Sequence, residues 1–270
     1  MTVPVLSIVF MAISGLISIG LPVGLFIFWY KKYNLKFLPM FVGMSAFILF
    51  AIVLEQIMHV IVLRPNEDGS IDLIKNSPVL FILYGIFAAG VFEETARFLS
   101  FKLLKKKLSG IGTGLSYGIG HGGIEALLIA GLAMISNVAA SIMLNTGNTA
   151  PLGDDPALLA QLDILATTSP VLFLASGFER VIAISAHISL SMFVWCSVTV
   201  KGKLWMYPAA IVMHAIVNLA PAMFQAGFIN SIWFVELMII LPAAALAYGA
   251  YCVCKIIKKD EESQVLENEQ

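Results

Sequence analysis

The sequence predicts an all-α fold, a polytopic membrane helical bundle with about seven transmembrane helices. Of its 270 residues, 59% are hydrophobic and only 12% are charged, and the mean hydropathy is +0.92. Soluble domains are about 25% charged, so this composition excludes a soluble domain. Apolar runs that reach the ~20 residues needed to cross a bilayer recur from end to end. Basic residues follow alternate runs, which is typical of a multi-pass membrane protein.

Seven apolar runs separated by polar breaks are the predicted spans, numbered 1 to 7 in chain order. They cover roughly residues 3–30, 37–63, 78–101, 111–144, 169–200, 204–226 and 229–256. Span 1 is too long for a signal-peptide core and has no basic residue before it, so we expect a retained helix. Spans 4 and 5 exceed the bilayer thickness and are expected to tilt, kink or extend beyond it. Six glycines at the start of span 4 predict close helix packing.

The basic residues give the predicted orientation. Lysines follow spans 1, 3, 5 and 7, whereas the intervening loops hold only Arg64 and Lys75. Because short cytoplasmic loops carry the excess of Lys and Arg, the N-terminus is predicted outside and the C-terminus in the cytoplasm. Residues 145–168 are then an outer loop. The predicted organisation is a single transmembrane bundle over residues 1–258, with a catalytic core at about 78–226. Residues 259–270 are predicted to form a disordered cytoplasmic tail.

Ionisable and polar side chains inside the spans are unexpected in so apolar a chain, because an unpaired ion in hydrocarbon costs several kcal/mol. They are Glu55, His59, Glu93, Glu94, Arg97, His121, Glu125, Glu179, Arg180, His187, His214, Asn218 and Glu236. Spans 3 to 6 each carry a polar pair one helical turn apart, namely Glu93/Arg97, His121/Glu125, His187/Ser191 and His214/Asn218. This set predicts a polar cavity inside the bundle.

Depth along each span indicates which of these residues share the cavity. Counted at ~1.5 Å per residue from the predicted cytoplasmic ends, the paired glutamates lie roughly 10–12 Å deep and the motif histidines roughly 15–20 Å deep. The polar pairs of spans 3 to 6 are therefore predicted to meet in one slab. The same count puts five other residues nearer the outer face, where we expect them to lie outside the site: Glu55, His59, Glu179, Arg180 and Glu236.

Two adjacent carboxylates, three histidines and an asparagine are a set suited to the activation of water. A glutamate can act as general base, and histidines can orient the water or ligate a metal as neutral imidazoles. A His/Asn pair can donate hydrogen bonds to a developing oxyanion. The combination predicts amide hydrolysis inside a membrane. The sequence contains no HExxH motif, which excludes an ordinary zincin.

The order of four motifs resembles the YhfC family of proposed intramembrane metalloproteases. The motifs are "EETAR" in span 3, "GHGGIEA" in span 4, His187 in span 5 and "HAIVN" in span 6. That family is related to the CAAX prenyl protease and bacteriocin-processing superfamily and to the PrsW proteases. The arginine comes one residue earlier than in the EExxxR form, as in the EExxK form of PrsW. The FxxxH motif would fall on His187, although residue 183 is Ala183.

Residues and resemblance together predict the catalytic set Glu93, Glu94, Arg97, His121, Glu125, His187, His214 and Asn218. One glutamate activates water, and Glu93 is preferred as the base with Glu94 as its partner. Arg97 orients the glutamates, the three histidines position the water or a metal, and Asn218 stabilises the oxyanion. The candidate metal is Zn²⁺, held by His121, His187 and His214, and a metal-free mechanism is an equal alternative.

The predicted function is an intramembrane endopeptidase that cleaves a membrane-associated peptide or protein. The resemblance implies a multi-pass protein of the bacterial cytoplasmic membrane, with the lipid bilayer as its surroundings, and no motif or basic patch indicates a nucleic-acid partner. A proton-coupled transporter is one alternative, since membrane carboxylates and histidines also build proton relays, although no clear repeat is present. A non-catalytic membrane scaffold or immunity protein is the other.

Overall fold

Helices form every regular element in residues 1–148 and 156–268, the part of the chain that this computed structural model describes. They are α1 Val5–Tyr30, α2 Phe37–Phe47, α3 Gln56–Leu63, α4 Asp72–Asn76, α5 Pro78–Leu104, α6 Ile111–Ala126, α7 Leu132–Thr146, α8 Pro156–Thr167, α9 Pro170–Thr199, α10 Met206–Gln225 and α11 Ile232–Asn268. Two π-helical segments, Ile48–Glu55 and Leu127–Gly131, join α2 to α3 and α6 to α7.

The predicted all-α bundle is confirmed. Within the described residues, seven helical stretches are long and apolar enough to cross a membrane, counting α2–α3 and α6–α7 as one stretch each. The short helix α8 lies where the sequence predicted an outer loop over 145–168; residues 149–155 of that loop lie outside the described residues. The orientation of the termini stays a prediction from the basic loops.

The C-terminal tail differs from the expected disorder. Helix α11 continues through it to Asn268, so residues 259–268 are helical. One turn of this segment is closed by a side-chain hydrogen bond of 2.7 Å from Gln264 Nε2 to Asp260 Oδ2. Lys, Glu, Gln and Leu are good helix formers, and pairs at i,i+4 support an exposed helix. A charged composition alone therefore led to the wrong expectation for this segment.

Helix α6 lies in the middle of the bundle, between α2 on one side and α9 on another. Its residues are buried along nearly the whole length, including His121. The glycines allow this position: a Cβ on Gly120 would lie 2.0 Å from the Met40 carbonyl oxygen, and one on Gly118 would lie 2.6 Å from the Ile188 Cα. The predicted close packing at the start of span 4 is therefore confirmed, and it brings "GHGGIEA" against its neighbours.

Replacing Gly120 with Ala is expected to destabilise the bundle by about 2 kcal/mol or more, because α6 and α2 must separate to admit the methyl group. The measurement is thermal unfolding of the purified protein in detergent. Gly24→Ala is the matched control, since a methyl group added to Gly24 of α1 would have no atom within 4 Å. That change should be neutral or slightly stabilising. Equal stability of the two variants would contradict the packing described for α6.

Candidate active site

The polar motifs of four helices meet in one buried cluster. Helix α5 supplies Glu93, Glu94 and Arg97, α6 supplies His121 and Glu125, α9 supplies His187, and α10 supplies His214. Each of these seven side chains belongs to a residue that is at most 8% exposed. The predicted convergence of spans 3 to 6 is thus present in the structure, whereas the catalytic roles of the residues stay predictions.

Glu93 lies at the centre of the cluster, facing three imidazoles. Its Oε2 accepts a hydrogen bond of 2.8 Å from His121 Nε2 and lies 3.6 Å from His187 Nδ1. Its Oε1 lies 3.8 Å from His214 Nε2. The Arg97 guanidinium lies at a similar distance, with Nη2 3.6 Å from Oε2. Glu93 is therefore the carboxylate that all three motif histidines surround.

Glu94 has a different environment, although it is the next residue. Its Oε1 accepts hydrogen bonds of 2.5 Å from Arg97 Nη1 and 2.7 Å from His214 Nδ1, and the residue is fully buried. An ionised carboxylate only accepts hydrogen bonds, so the proton of His214 must sit on Nδ1 in the neutral ring. The other ring nitrogen of His214, Nε2, faces Glu93. Glu94 is thus neutralised by Arg97 and orients His214.

Arg97 also fixes the imidazole of His187. Its Nη2 donates to His187 Nδ1 at 2.5 Å, and its Nε donates to Ser191 Oγ at 3.3 Å. Arginine is always a donor, so Nδ1 of His187 accepts and the ring proton lies on Nε2. That nitrogen faces Glu125 Oε2. The orientation of His187 is therefore determined from both sides, by a cation at Nδ1 and a carboxylate at Nε2.

Arg180 belongs to the same network, although its sequence position predicted a place outside the site. Its Nη1 donates to Glu125 Oε1 at 2.9 Å and its Nη2 donates to Glu179 Oε1 at 2.6 Å. Counting depth places Glu179 and Arg180 near the outer face, away from the site. The missed signal is spacing: Arg180 precedes His187 by two helical turns, so both side chains project from one face of α9.

Asn218 is not brought into the cluster by a hydrogen bond. It is half-buried on α10, one turn after His214, and no side-chain hydrogen bond involves it among the described residues. Its predicted role as oxyanion donor stays a prediction. Of the eight residues proposed from sequence, seven are therefore linked by contacts in the structure and Asn218 is adjacent to them.

Glu55 and His59 form a second polar group beside the first. Glu55 is 6% exposed and ends the π-helical segment Ile48–Glu55. Its Oε1 lies 3.3 Å from His59 Nε2, and His59 Nδ1 lies 2.8 Å from the Tyr84 hydroxyl oxygen. The spacing of four between Glu55 and His59 did indicate this pair.

Comparison with known proteins decides the family. Residues 17–239 match the sequence model of the family described as YhfC intramembrane metalloprotease. The chain belongs to the YhfC family. It is also 35% identical over 246 residues to "Uncharacterized membrane protein YhfC" of Bacillus subtilis (strain 168). The aligned residues are 90% of this chain and 94% of that relative. No solved structure matches the chain. The resemblance predicted for spans 3 to 6 is confirmed and extends from span 1 to span 7.

The YhfC description as metalloprotease raises the question of which residues suit a metal ion. Glu93, His121 and His187 each offer one donor atom, and these three atoms lie within 4.8 Å of one another. Two histidines and a glutamate are a donor set that catalytic zinc sites use, with a fourth position left for water. The residues therefore fit a metal in kind and number. An ion held by His187 Nδ1 would require Arg97 to release that nitrogen.

This grouping differs from the predicted ligand set of three histidines, which stays a prediction. Among the described residues, the group does not include His214, whose Nδ1 is turned to Glu94. Glu93 takes its place. His121 adds a further feature, since its buried Nδ1 has no hydrogen-bond partner among the described residues. Such an orphaned nitrogen is available to a water molecule or an ion.

Proposed function

We propose that this YhfC-family protein is an intramembrane endopeptidase of the bacterial cytoplasmic membrane. Its substrate is a membrane-associated peptide or protein, and Glu93 activates the water that cleaves it. One observation carries the proposal: a buried carboxylate lies within 3.8 Å of three imidazoles in the interior of a seven-span bundle. A carboxylate with neighbouring histidines can accept the proton of an attacking water and stabilise charge as it develops.

The proposed reaction is the hydrolysis of a peptide bond. Glu93 removes a proton from water as the water oxygen bonds to the carbonyl carbon of the substrate. The carbon–nitrogen bond then breaks, the proton passes to the leaving nitrogen, and the products are a carboxylic acid and an amine, which then ionise to a carboxylate and an ammonium. His121 holds Glu93 through its 2.8 Å hydrogen bond. In the metal-bound alternative, an ion held by Glu93, His121 and His187 would supply Lewis-acid polarisation and a more acidic water, and Glu93 would be a ligand instead of the base.

The two glutamates have different proposed roles because their hydrogen-bond and ion-pair partners differ. Glu94 is fully buried and neutralised by Arg97, so it is a poor candidate for proton transfer. Glu93 is slightly exposed and lies farther from the guanidinium. We therefore assign the base to Glu93, and the orientation of His214 and Arg97 to Glu94. Asn218, one turn from His214, is proposed as an oxyanion donor that turns inward with substrate.

A proteoliposome assay tests the proposal against the transporter alternative. The full-length protein is reconstituted with a library of fluorogenic peptides that each carry one apolar membrane segment, and cleavage and proton flux are followed in parallel. We expect cleavage that depends on Glu93, with no flux above that of empty liposomes. Flux without cleavage would replace the proposal by a proton-coupled carrier. Neither activity, together with a cellular phenotype that survives Glu93→Ala, would support a scaffold.

Glu125 is expected to act through His187. Replacing Glu125 with Gln removes the carboxylate that faces His187 Nε2 and leaves Arg180 with a weaker partner. Loss of such a supporting carboxylate typically costs 10–100-fold, and we expect that loss in kcat with KM nearly unchanged. Glu179→Gln is the matched control, because Glu179 contacts the same Arg180 but is partly exposed and remote from His187. Equal effects of both changes would contradict the positioning role.

A further inference from the structure

A long groove lies on the side of the bundle between α1, α9 and α11. Its volume is about 650 Å³, and its walls include Leu25 of α1, Ile184 and Ile188 of α9, and Ala247 of α11. It is distinct from the candidate active site. The α9 residues that line it occupy a different face from Arg180, His187 and Ser191, which point to the glutamates and Arg97.

The two ends of the groove differ in chemistry. Most of the wall is aliphatic, whereas one end is lined by Trp29, Tyr33, Tyr251, Lys255 and Lys258. Both lysines are exposed, and the ammonium of Lys255 lies 4.3 Å from the centre of the Tyr251 ring. None of the described residues that line the groove is acidic. Aromatic rings with lysines are typical of the level at which lipid headgroups meet the hydrocarbon core.

The length of the groove fits one leaflet. Ala247 and Lys258 line it at positions eleven residues apart on α11. At ~1.5 Å per residue this distance is about 16 Å, roughly half of the ~30 Å hydrocarbon core. An acyl chain that follows the groove would therefore reach about the middle of the bilayer while its headgroup stays beside the two lysines.

We propose that this groove is a binding site for an anionic phospholipid of the leaflet on the lysine side. One acyl chain lies along the aliphatic wall, and the phosphate lies against Lys255 and Lys258. The charges are complementary, and no acidic side chain among the described lining residues repels the phosphate. Basic residues near anionic lipid each strengthen binding. The basic loops predict that this is the cytoplasmic leaflet, where negative surface potential is found.

A specific site differs from ordinary boundary lipid in its headgroup preference. A lipid that merely coats the bundle exchanges freely and is retained irrespective of charge. A seated anionic lipid is retained preferentially, and its retention depends on both the lysines and the free volume of the groove. The lipid site is independent of proteolysis, because the groove and the candidate active site lie on different faces of α9.

The test uses full-length protein in detergent, with phosphatidylglycerol and phosphatidylcholine of identical acyl chains as probes, and native mass spectrometry to count bound lipid. We expect phosphatidylglycerol to be retained about tenfold more than phosphatidylcholine. Lys255→Gln/Lys258→Gln should abolish that preference. Ala247→Trp, which fills the groove without changing charge, should lower retention of both lipids. Lys106→Gln/Lys107→Gln, an exposed basic pair on the same predicted side, is the control and should keep the preference.

Three results would overturn the proposal. One is equal retention of the two lipids by the wild-type protein, which means boundary lipid only. The second is a preference for phosphatidylglycerol that persists in Lys255→Gln/Lys258→Gln, or that is lost to the same degree in the control variant Lys106→Gln/Lys107→Gln. The third is unchanged retention in Ala247→Trp, which would mean that no acyl chain lies in the groove. Thermal unfolding confirms that each variant is folded, and these exposed positions should not alter it.

Discussion

Replacing Glu93 with Gln is expected to abolish cleavage while the protein remains folded. The amide has the shape of the carboxylate but cannot accept the proton of the attacking water. General base catalysis contributes about 10²–10⁴-fold, and we expect a loss of at least 10²-fold in kcat. The fold should persist because Glu93 is not the main partner of the buried guanidinium, whose shorter contact is to Glu94.

The measurement combines initial rates in proteoliposomes with thermal unfolding of the same preparations. Glu236→Gln is the matched control, since Glu236 is a half-buried carboxylate within a span but lies on α11, outside the cluster. That variant should cleave at close to the wild-type rate. A Glu93→Gln protein that retains full activity would show that another group accepts the proton. If the Glu93→Gln protein is unfolded under conditions in which the Glu236→Gln protein is folded, the roles assigned to the two glutamates are contradicted.

Replacing Arg97 with Met is expected to cause the largest loss of stability. The change leaves the fully buried Glu94 carboxylate without its cation and removes the donor to His187. Removing one partner of a buried ion pair costs about 3–5 kcal/mol, because the remaining charge has no compensation. The free energy of unfolding, measured by denaturant titration in mixed micelles, should fall by that amount. Activity should fall as well, since His187 loses its orientation.

A second substitution separates this explanation from simple loss of packing. In Arg97→Met/Glu94→Gln both charges are removed, so we expect the double variant to recover much of the lost stability. Lys106→Met, which removes an exposed charge just after α5, is the control and should change stability by less than about 0.5 kcal/mol. Strict additivity of the two single effects would contradict the ion-pair account.

The sequence was sufficient for the spans and for most of the cluster because both follow from helical geometry. Hydrophobic length determines a span, and i,i+4 spacing brings His121 and Glu125 to one helix face whatever the tertiary structure. Counting residues along straight helices placed the four motif helices at compatible depths. It failed for Arg180, whose side chain extends to Glu125 of α6.

The sequence could not distinguish Glu93 from Glu94. Both can reach Arg97 from one helix, at i,i+4 and i,i+3 respectively. The distinction comes from α10, which brings His214 Nδ1 to Glu94, and from α6, which brings His121 Nε2 to Glu93. These contacts depend on how three helices pack together. The substitution of Glu93 for His214 in the group suited to a metal has the same origin.

The position of Arg97 has a consequence for metal loading. Its guanidinium donates to His187 Nδ1 and lies 3.6 Å from Glu93 Oε2, so it contacts two of the three residues that suit an ion. A buried cation already balances the carboxylates in this arrangement. A metal held through His187 Nδ1 would require Arg97 to release that nitrogen, whereas the metal-free alternative leaves this hydrogen bond in place.

The most direct test is to compare protein termini in membranes from cells that carry either the wild-type protein or Glu93→Gln as their only copy. Mass spectrometry of labelled N-termini identifies new cleavage sites even when the substrate is unknown. The proposal predicts termini within or beside apolar segments of membrane-associated proteins, present with the wild-type protein and absent with Glu93→Gln. Identical sets of termini in the two membranes, at equal protein levels, would contradict intramembrane proteolysis by Glu93.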